Sequence, residues 1–484
     1  MEGRHGSAWA PRIGPLRKPW RPRGQSALPS APMVSPKTLL AAAVTALSLG
    51  ASTAHAQDLT FARTRLKNGL TLILHEDHTL PQVAVNLIYR VGSRDEEPKR
   101  TGFAHLFEHL MFMGTTRVPP KMFDAWMERA GGSNNAWTSS DLTDYHETGP
   151  SPSLPLLLWL EADRLATLGR EIDGPRLELQ REVVRNERRQ TSENVPYGKV
   201  ELRLPELLYP PGHPYHHPVI GSHEDLEAAA VPDVRKFFET FYVPANASLA
   251  IAGDFRADET RALVERTFES IPAGQRPPRK DPFAPPPLGK VVRETLEDRV
   301  ELSKILFAYH APAHFAPGDA ELDLLASILS SGKSSRLYKA LVYDQPLAQS
   351  VAAYQGSQDL SSIFTIEVIV RNGVDLDRVE KAMDTTLAEL LSKGVGADEL
   401  RRARNAYEFG FVDRLQSLQT RARLLNTYEV ATGDPGFLPR DLARYRDATT
   451  ASVQDWARKT LKENDRVVLR VVPRPEKAPA KEGK

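Results

Sequence analysis

The sequence predicts an α+β protein made of two related halves. Three observations carry that expectation. Strand-like and helical segments follow one another without the regular βαβ alternation of a doubly wound parallel sheet. A stretch over 271–290 holds Pro272, Pro277, Pro278, Pro282, Pro285, Pro286 and Pro287, and reads as an extended, semi-rigid linker. The segment order before it recurs after it. Residues 301–309 take the part of 83–91, and 321–330 take the part of a helix that begins near Gly102. So long a period is a duplication, not a solenoid. The expected divisions are an N-terminal extension with a signal segment (1–56), a first domain (58–270), the linker (271–290) and a second domain (291–472). A Pro-, Lys- and Ala-rich tail (473–484) is expected to be disordered.

Taken in order, Lys37 precedes an apolar run over 39–52, and Ala54-His55-Ala56 follows as an A-x-A cleavage signal before Gln57. The run is too short to span a bilayer comfortably, so a cleaved export signal is expected rather than a stable membrane anchor. The Arg- and Pro-rich 1–32 precede a second methionine, Met33, where translation is expected to start. Residues 66–74 read as a strand bracketed by an Asn68-Gly69 turn, and 83–91 as a second strand. Phe103, Leu106, Phe107, Leu110 and Met111 recur at i, i+3, i+4, i+7 and i+8, one apolar stripe of a helix that Gly114 stops. Residues 133–145 mix small, polar and aromatic side chains, as paired strands do. Helices over 153–167 and 174–190 and a strand over 248–254 complete the first half.

The polar residues of the 102–114 helix carry the chemistry. His105, Glu108 and His109 form H-x-x-E-H. Positions i and i+4 share a helix face, so two imidazoles one turn apart can grip one zinc ion, with a carboxylate beside the open position. A catalytic zinc usually takes a third protein ligand. The charged helix over 176–190 offers Glu178, Glu182 and Glu187, and spacing alone does not say which turns inward. The chain has 484 residues, no cysteine and a net charge of +1. Disulfides, thiolate ligands and a thiol nucleophile are thereby excluded, and bulk charge points to no nucleic-acid partner.

These motifs resemble the pitrilysin/insulinase superfamily of inverted-motif zinc peptidases, in its bacterial branch similar to the mitochondrial processing peptidase. The resemblance rests on His105-Leu-Phe-Glu-His109 with Met113-Gly-Thr115, on Gly132-Ser-Asn-Asn-Ala-Trp-Thr138 with Thr143-Asp-Tyr145, and on Val183-Val-Arg-Asn-Glu-Arg-Arg189. It continues through Pro218-Val-Ile-Gly-Ser222, Phe241-Tyr-Val-Pro-Ala-Asn246 and Ser334-Ser-Arg-Leu-Tyr338, nearly the whole chain after the signal.

The resemblance implies two homologous α/β domains of duplicated strand–helix–strand layers, paired like a clam. It implies one Zn²⁺ per chain on His105, His109 and Glu187. Glu108 then serves as general base in a metalloendopeptidase acting on peptides or unfolded polypeptides. Asn135, Ala136 and Thr138 match the family's edge strand, which takes an extended substrate by main-chain pairing. An auxiliary acid seven residues before the ligand glutamate is replaced by Gln180. Single-chain relatives carry an Arg and a Tyr in the second domain; the matching positions here are Val342 and Gln349, with Tyr343 one residue off. That division implies a metal-free homologous partner subunit supplying the Arg/Tyr pair. The competing reading is a non-catalytic metal-binding subunit of a larger complex. His213-Pro-Tyr-His-His217 is expected to be a packed loop and not a second metal site. The signal segment implies a periplasmic or secreted protein.

Overall fold

The computed structural model describes residues 59–279 and 284–475. The N-terminal extension, the signal segment and most of the expected tail lie outside them. Six strands form the first sheet: β1 (Ala62–Arg65), β2 (Thr71–Glu76), β3 (Gln82–Tyr89), β4 (Ser133–Thr138), β5 (Thr143–Pro150) and β6 (Ala247–Gly253). Their order is β1-β2-β6-β3-β5-β4, and β2 and β6 run parallel while the other neighbours are antiparallel. The expected single strand over 66–74 is a correction: Asn68 and Gly69 sit inside a hairpin. Gly69 adopts φ +89°, a Cβ-free left-handed position, and Asn68 Oδ1 accepts from the Leu70 N–H, so the chain reverses between β1 and β2.

The second sheet holds β7 (Val291–Asp298), β8 (Lys304–Ala311), β9 (Ala348–Gly356), β10 (Ser362–Val370) and β11 (Arg466–Pro473), in the order β7-β11-β8-β10-β9. β7 and β11 are its parallel pair. Set β7 against β2, β11 against β6, and β8, β10 and β9 against β3, β5 and β4. Apart from β1, which has no counterpart, the two sheets then have one topology, which makes the duplication concrete. Helix α1 (Phe103–Leu110) joins β3 to β4 through the segment that follows it. Helix α5 (Asp319–Ser330) takes the same place between β8 and β9. β11 ends at Pro473, one residue into the expected tail.

Each sheet packs one face on its own helices. Val85, Leu87 and Tyr89 meet Leu106, Phe107 and Leu110 of α1 and Leu157 and Leu158 of α2 (Leu154–Glu171). Ile305, Phe307 and Tyr309 meet Leu322, Leu325 and Leu329 of α5. The other faces are covered by exchange. Helix α6 (Leu418–Thr432), from the second half, lays Leu418, Ala422 and Leu425 on Ile73, Ala84, Ala250 and Ala252. Helix α4 (Lys199–Leu208), from the first half, puts Val200 and Leu208 on Leu306, Ala308, Val467 and Leu469. This accounts for β6, buried at all seven positions, and for the near-continuous apolar run of β3: strands covered on both faces have no solvent side to keep polar. At about 1.5–3 kcal/mol per fully buried Leu or Ile, the lent helices bind the halves into one unit. Among the described residues no helix is long and apolar enough to cross a membrane.

Candidate metal centre

The helix that carries His105 and His109 is fixed at its amino end by two devices. Gly102 has φ +88°, and a Cβ there would stand 2.8 Å from the Ile220 carbonyl oxygen. The buried Glu96 carboxyl accepts hydrogen bonds from the Gly102 N–H (2.9 Å) and the Ala104 N–H (2.8 Å), which satisfies two donors that the helix itself leaves open. Burial drives this carboxyl well above the usual carboxylate range, against the pull of those two bonds. With Phe103, Leu106, Phe107 and Leu110 buried, the phase of the helix leaves the polar triplet on its other flank, where α1 packs on α3 (Gly174–Arg188).

There the structure brings three predicted residues together. His105 Nε2 and His109 Nε2 lie 3.4 Å apart, and the Glu187 carboxylate stands 3.7 Å from the first and 3.1 Å from the second. Tetrahedral bonds of roughly 2.0–2.2 Å would place ligand atoms about 3.3–3.6 Å apart, within about 0.2 Å of all three separations, so this donor set fits a zinc ion. Among the described residues it is the one cluster of histidine and acidic side chains able to hold a metal. Burial, with His109 beside it, pushes His105 down to about 4, which keeps the imidazole in its neutral, ligating form. The hydrogen bond with His109 holds Glu187 below its ordinary value. His105 Nδ1 is buried and finds no acceptor among the described residues.

Glu108 stands apart from the donor set. Its carboxylate accepts the Thr138 hydroxyl at 2.6 Å, and burial raises its pKa against that bond. Thr138 ends β4, the polar edge strand, whose outer main-chain groups have no neighbouring strand among the described residues. Asn135 Oδ1 accepts from the Ala136 N–H at 2.8 Å, so a group expected to meet substrate is held by its own strand. A cavity of about 350 Å³ opens beside His105 and Thr138, lined also by Tyr209, His217, Gln358 and Ile363, and so by both halves.

Of the three glutamates on this helix, Glu187 is the one that faces the two imidazoles. Glu178 pairs with Arg181, and Glu182 with Arg185 at 2.7 Å, both on the solvent side of α3. Gln180 donates to the Met113 sulfur at 2.6 Å. His213 is buried and stacks on Tyr209 at 4.5 Å, and His216 Nδ1 bonds the Tyr209 carbonyl, so the histidine-rich loop is packed as expected. Val342 packs on the second core, Gln349 is exposed on β9, and Tyr343 is 79% exposed. The sequence reading missed Glu96, whose only signal is an acid shortly before a helix start. It gave no role to Asp144 of the Thr143-Asp-Tyr145 motif, which is buried on β5, accepts from Asn86 at 2.7 Å and bonds His146 at 2.8 Å behind Asn135.

The model of the insulinase family, peptidase family M16, matches residues 71–209, and that of the peptidase M16 inactive domain matches 229–407. Zinc protease PqqE of Helicobacter pylori is 29% identical over 368 residues, 75% of this chain and 82% of the relative. The crystal structure of a protease from Helicobacter pylori superposes with a TM-score of 0.80 at 26% identity, covering 86% of this chain and 99% of that one. The periplasmic protease PqqL from Escherichia coli shares the fold at a TM-score of 0.71 and 18% identity; the match covers 86% of this chain but 48% of that longer one.

Proposed function

The chain belongs to the M16 peptidase family, the insulinase family, and on that premise we propose that it is a zinc-dependent metalloendopeptidase acting on peptides or unfolded polypeptides. The observation that carries the reading is the convergence of His105 Nε2, His109 Nε2 and the Glu187 carboxylate, with Glu108 beside them and an unpaired edge strand next to it. His105, His109 and Glu187 hold the metal. When bound, it supplies Lewis acidity and acidifies water. Glu108 accepts the proton of the attacking water and returns it to the leaving amine. Its raised pKa suits it to both halves of that transfer. Thr138 orients the carboxylate, and β4 takes the substrate main chain as an added strand, a mode tolerant of sequence.

We further infer a metal-free homologous partner. Val342 is turned into the second core and Gln349 is an uncharged side chain, so neither replaces a bidentate guanidinium. A longer chain such as PqqL, of which this one matches about half, has room for two such units. The purified chain should then bind zinc but cleave slowly, and the metal-free relative should restore turnover. The signal segment supports a periplasmic or secreted location. The test is cleavage of an unfolded polypeptide by the chain, alone and with the relative, after chelation and after zinc is returned. Cleavage that survives chelation defeats the reading. Zinc binding without cleavage in either setting favours the non-catalytic subunit.

A further inference from the structure

The hairpin turn that follows Thr138 is gripped from both halves of the chain. From the first half, the Ser93 and Arg94 N–H groups donate to the carbonyls of Ser139 (3.2 Å) and Ser140 (3.0 Å). Gly92 lies so close that a Cβ would stand 2.5 Å from the Ser139 oxygen. Arg94, 5% exposed, donates to the buried Asp141 carboxylate at 2.9 Å, and Tyr215 donates its hydroxyl to the same carboxylate at 2.5 Å. From the second half, the turn between β9 and β10 closes the ring. The Asp359 N–H donates to Asp141 Oδ2 (3.1 Å), and Gln358 Nε2 donates to Ser140 Oγ (3.0 Å). Asp359 accepts from Arg279 of the linker at 2.7 Å and faces Arg94 at 3.4 Å; Arg279 also donates to the Asp141 carbonyl. Asp141 and Asp359 thus meet Arg94 and Arg279 in a largely buried site, with the Asp95 carboxylate, which accepts from the Gly92 N–H at 3.0 Å, close by.

We propose that Asp359 and Gln358, in the half without metal ligands, are positioning residues for peptide hydrolysis: they lock the 139–142 turn and so hold Thr138 against Glu108. The second half then serves the reaction through the end of β4. A buried ion-pair cluster is weak evidence of stability, because its desolvation offsets its attraction; its better-attested use is to fix geometry. The proposal rests on the peptidase reading above.

The test uses the zinc-loaded full chain, with its partner if turnover requires one. Asp359→Ala should lower kcat on an internally quenched peptide about tenfold, as expected for a small misplacement of a reacting group. KM should stay within about twofold and zinc per chain should not change. Asp359→Asn, which keeps an acceptor, should fall between. Amide hydrogen exchange over 139–145 should quicken in Asp359→Ala while 305–309 in the second core keeps its protection. Unchanged kcat with unchanged exchange overturns the proposal. So does faster exchange throughout the second half, which marks a merely structural residue. If the wild type has no zinc-dependent turnover, the peptidase reading has failed, and the exchange experiment still decides whether the clamp exists.

Discussion

Glu108→Gln separates the chemistry from the fold more cleanly than any other change. The amide has the same shape, and its oxygen can still accept the Thr138 hydroxyl now bonded at 2.6 Å. None of the three proposed zinc ligands is altered. What is lost is the proton acceptor. General-base catalysis contributes roughly 10²–10⁴-fold, about 2.7–5.5 kcal/mol of barrier. Turnover of an internally quenched peptide should fall by that factor while zinc per chain stays the same. Stability should move the other way. Burial raises the Glu108 pKa above its unfolded value, so the ionised carboxylate opposes folding once pH exceeds the folded pKa. The metal-free Glu108→Gln protein should therefore melt higher than wild type at neutral pH. The difference should shrink as pH falls below the ordinary value of 4.5, where both states of the wild type are protonated. Calorimetry at several pH values beside the cleavage assay reads both effects. Cleavage within threefold of wild type would refute the assignment of the base, and a lower melting temperature at neutral pH would refute the account of its burial.

Two further outcomes follow from the packing and one from the sequence of the signal segment. Gly102→Ala must hold an L-residue at φ +88° against the Ile220 carbonyl; it should cost about 1–2 kcal/mol or more in urea denaturation and weaken zinc binding through the start of α1. Arg164, fully buried, donates to Glu161 at 2.9 Å and to Glu147 at 3.2 Å; Arg164→Ala leaves two buried acids unpaired and should cost about 3–5 kcal/mol by the same measurement. N-terminal sequencing of the mature protein should begin at Gln57; a mature species that keeps Met33 would contradict export by cleavage.

Much of the site was legible because its signals are local. Two histidines and a glutamate on one helix flank are read from period and spacing, and the apolar stripe from Phe103 to Leu110 fixes which side they leave. Glu187 was not legible from spacing, and the structure explains why. Glu178 and Glu182 pair with Arg181 and Arg185 three residues on in the same charged helix, and only across space does Glu187 differ, by facing His105 and His109. The resemblance supplied what local pattern lacked. The duplicated topology was foreshadowed by matching segments, but the exchange of α4 and α6 was not. A helix that covers a distant sheet has the same amphipathic pattern as one that covers its own. The clamp on the 139–142 turn was beyond reach for the same reason, since Arg94, Asp141, Arg279 and Asp359 meet only in three dimensions. The hairpin at Asn68-Gly69 was misread although its turn signal was seen: the apolar run on one side of the turn was extended across it.

The central claim is that His105, His109 and Glu187 hold one catalytic zinc. X-ray absorption on the zinc-loaded chain tests it most directly, with His105→Ala, His109→Ala and Glu187→Gln measured beside the wild type. The account predicts one zinc per chain with two imidazole nitrogens and the remaining ligands oxygen, and weakened binding in each variant. Wild-type affinity with an unchanged ligand shell in the variants would place the metal elsewhere and contradict it.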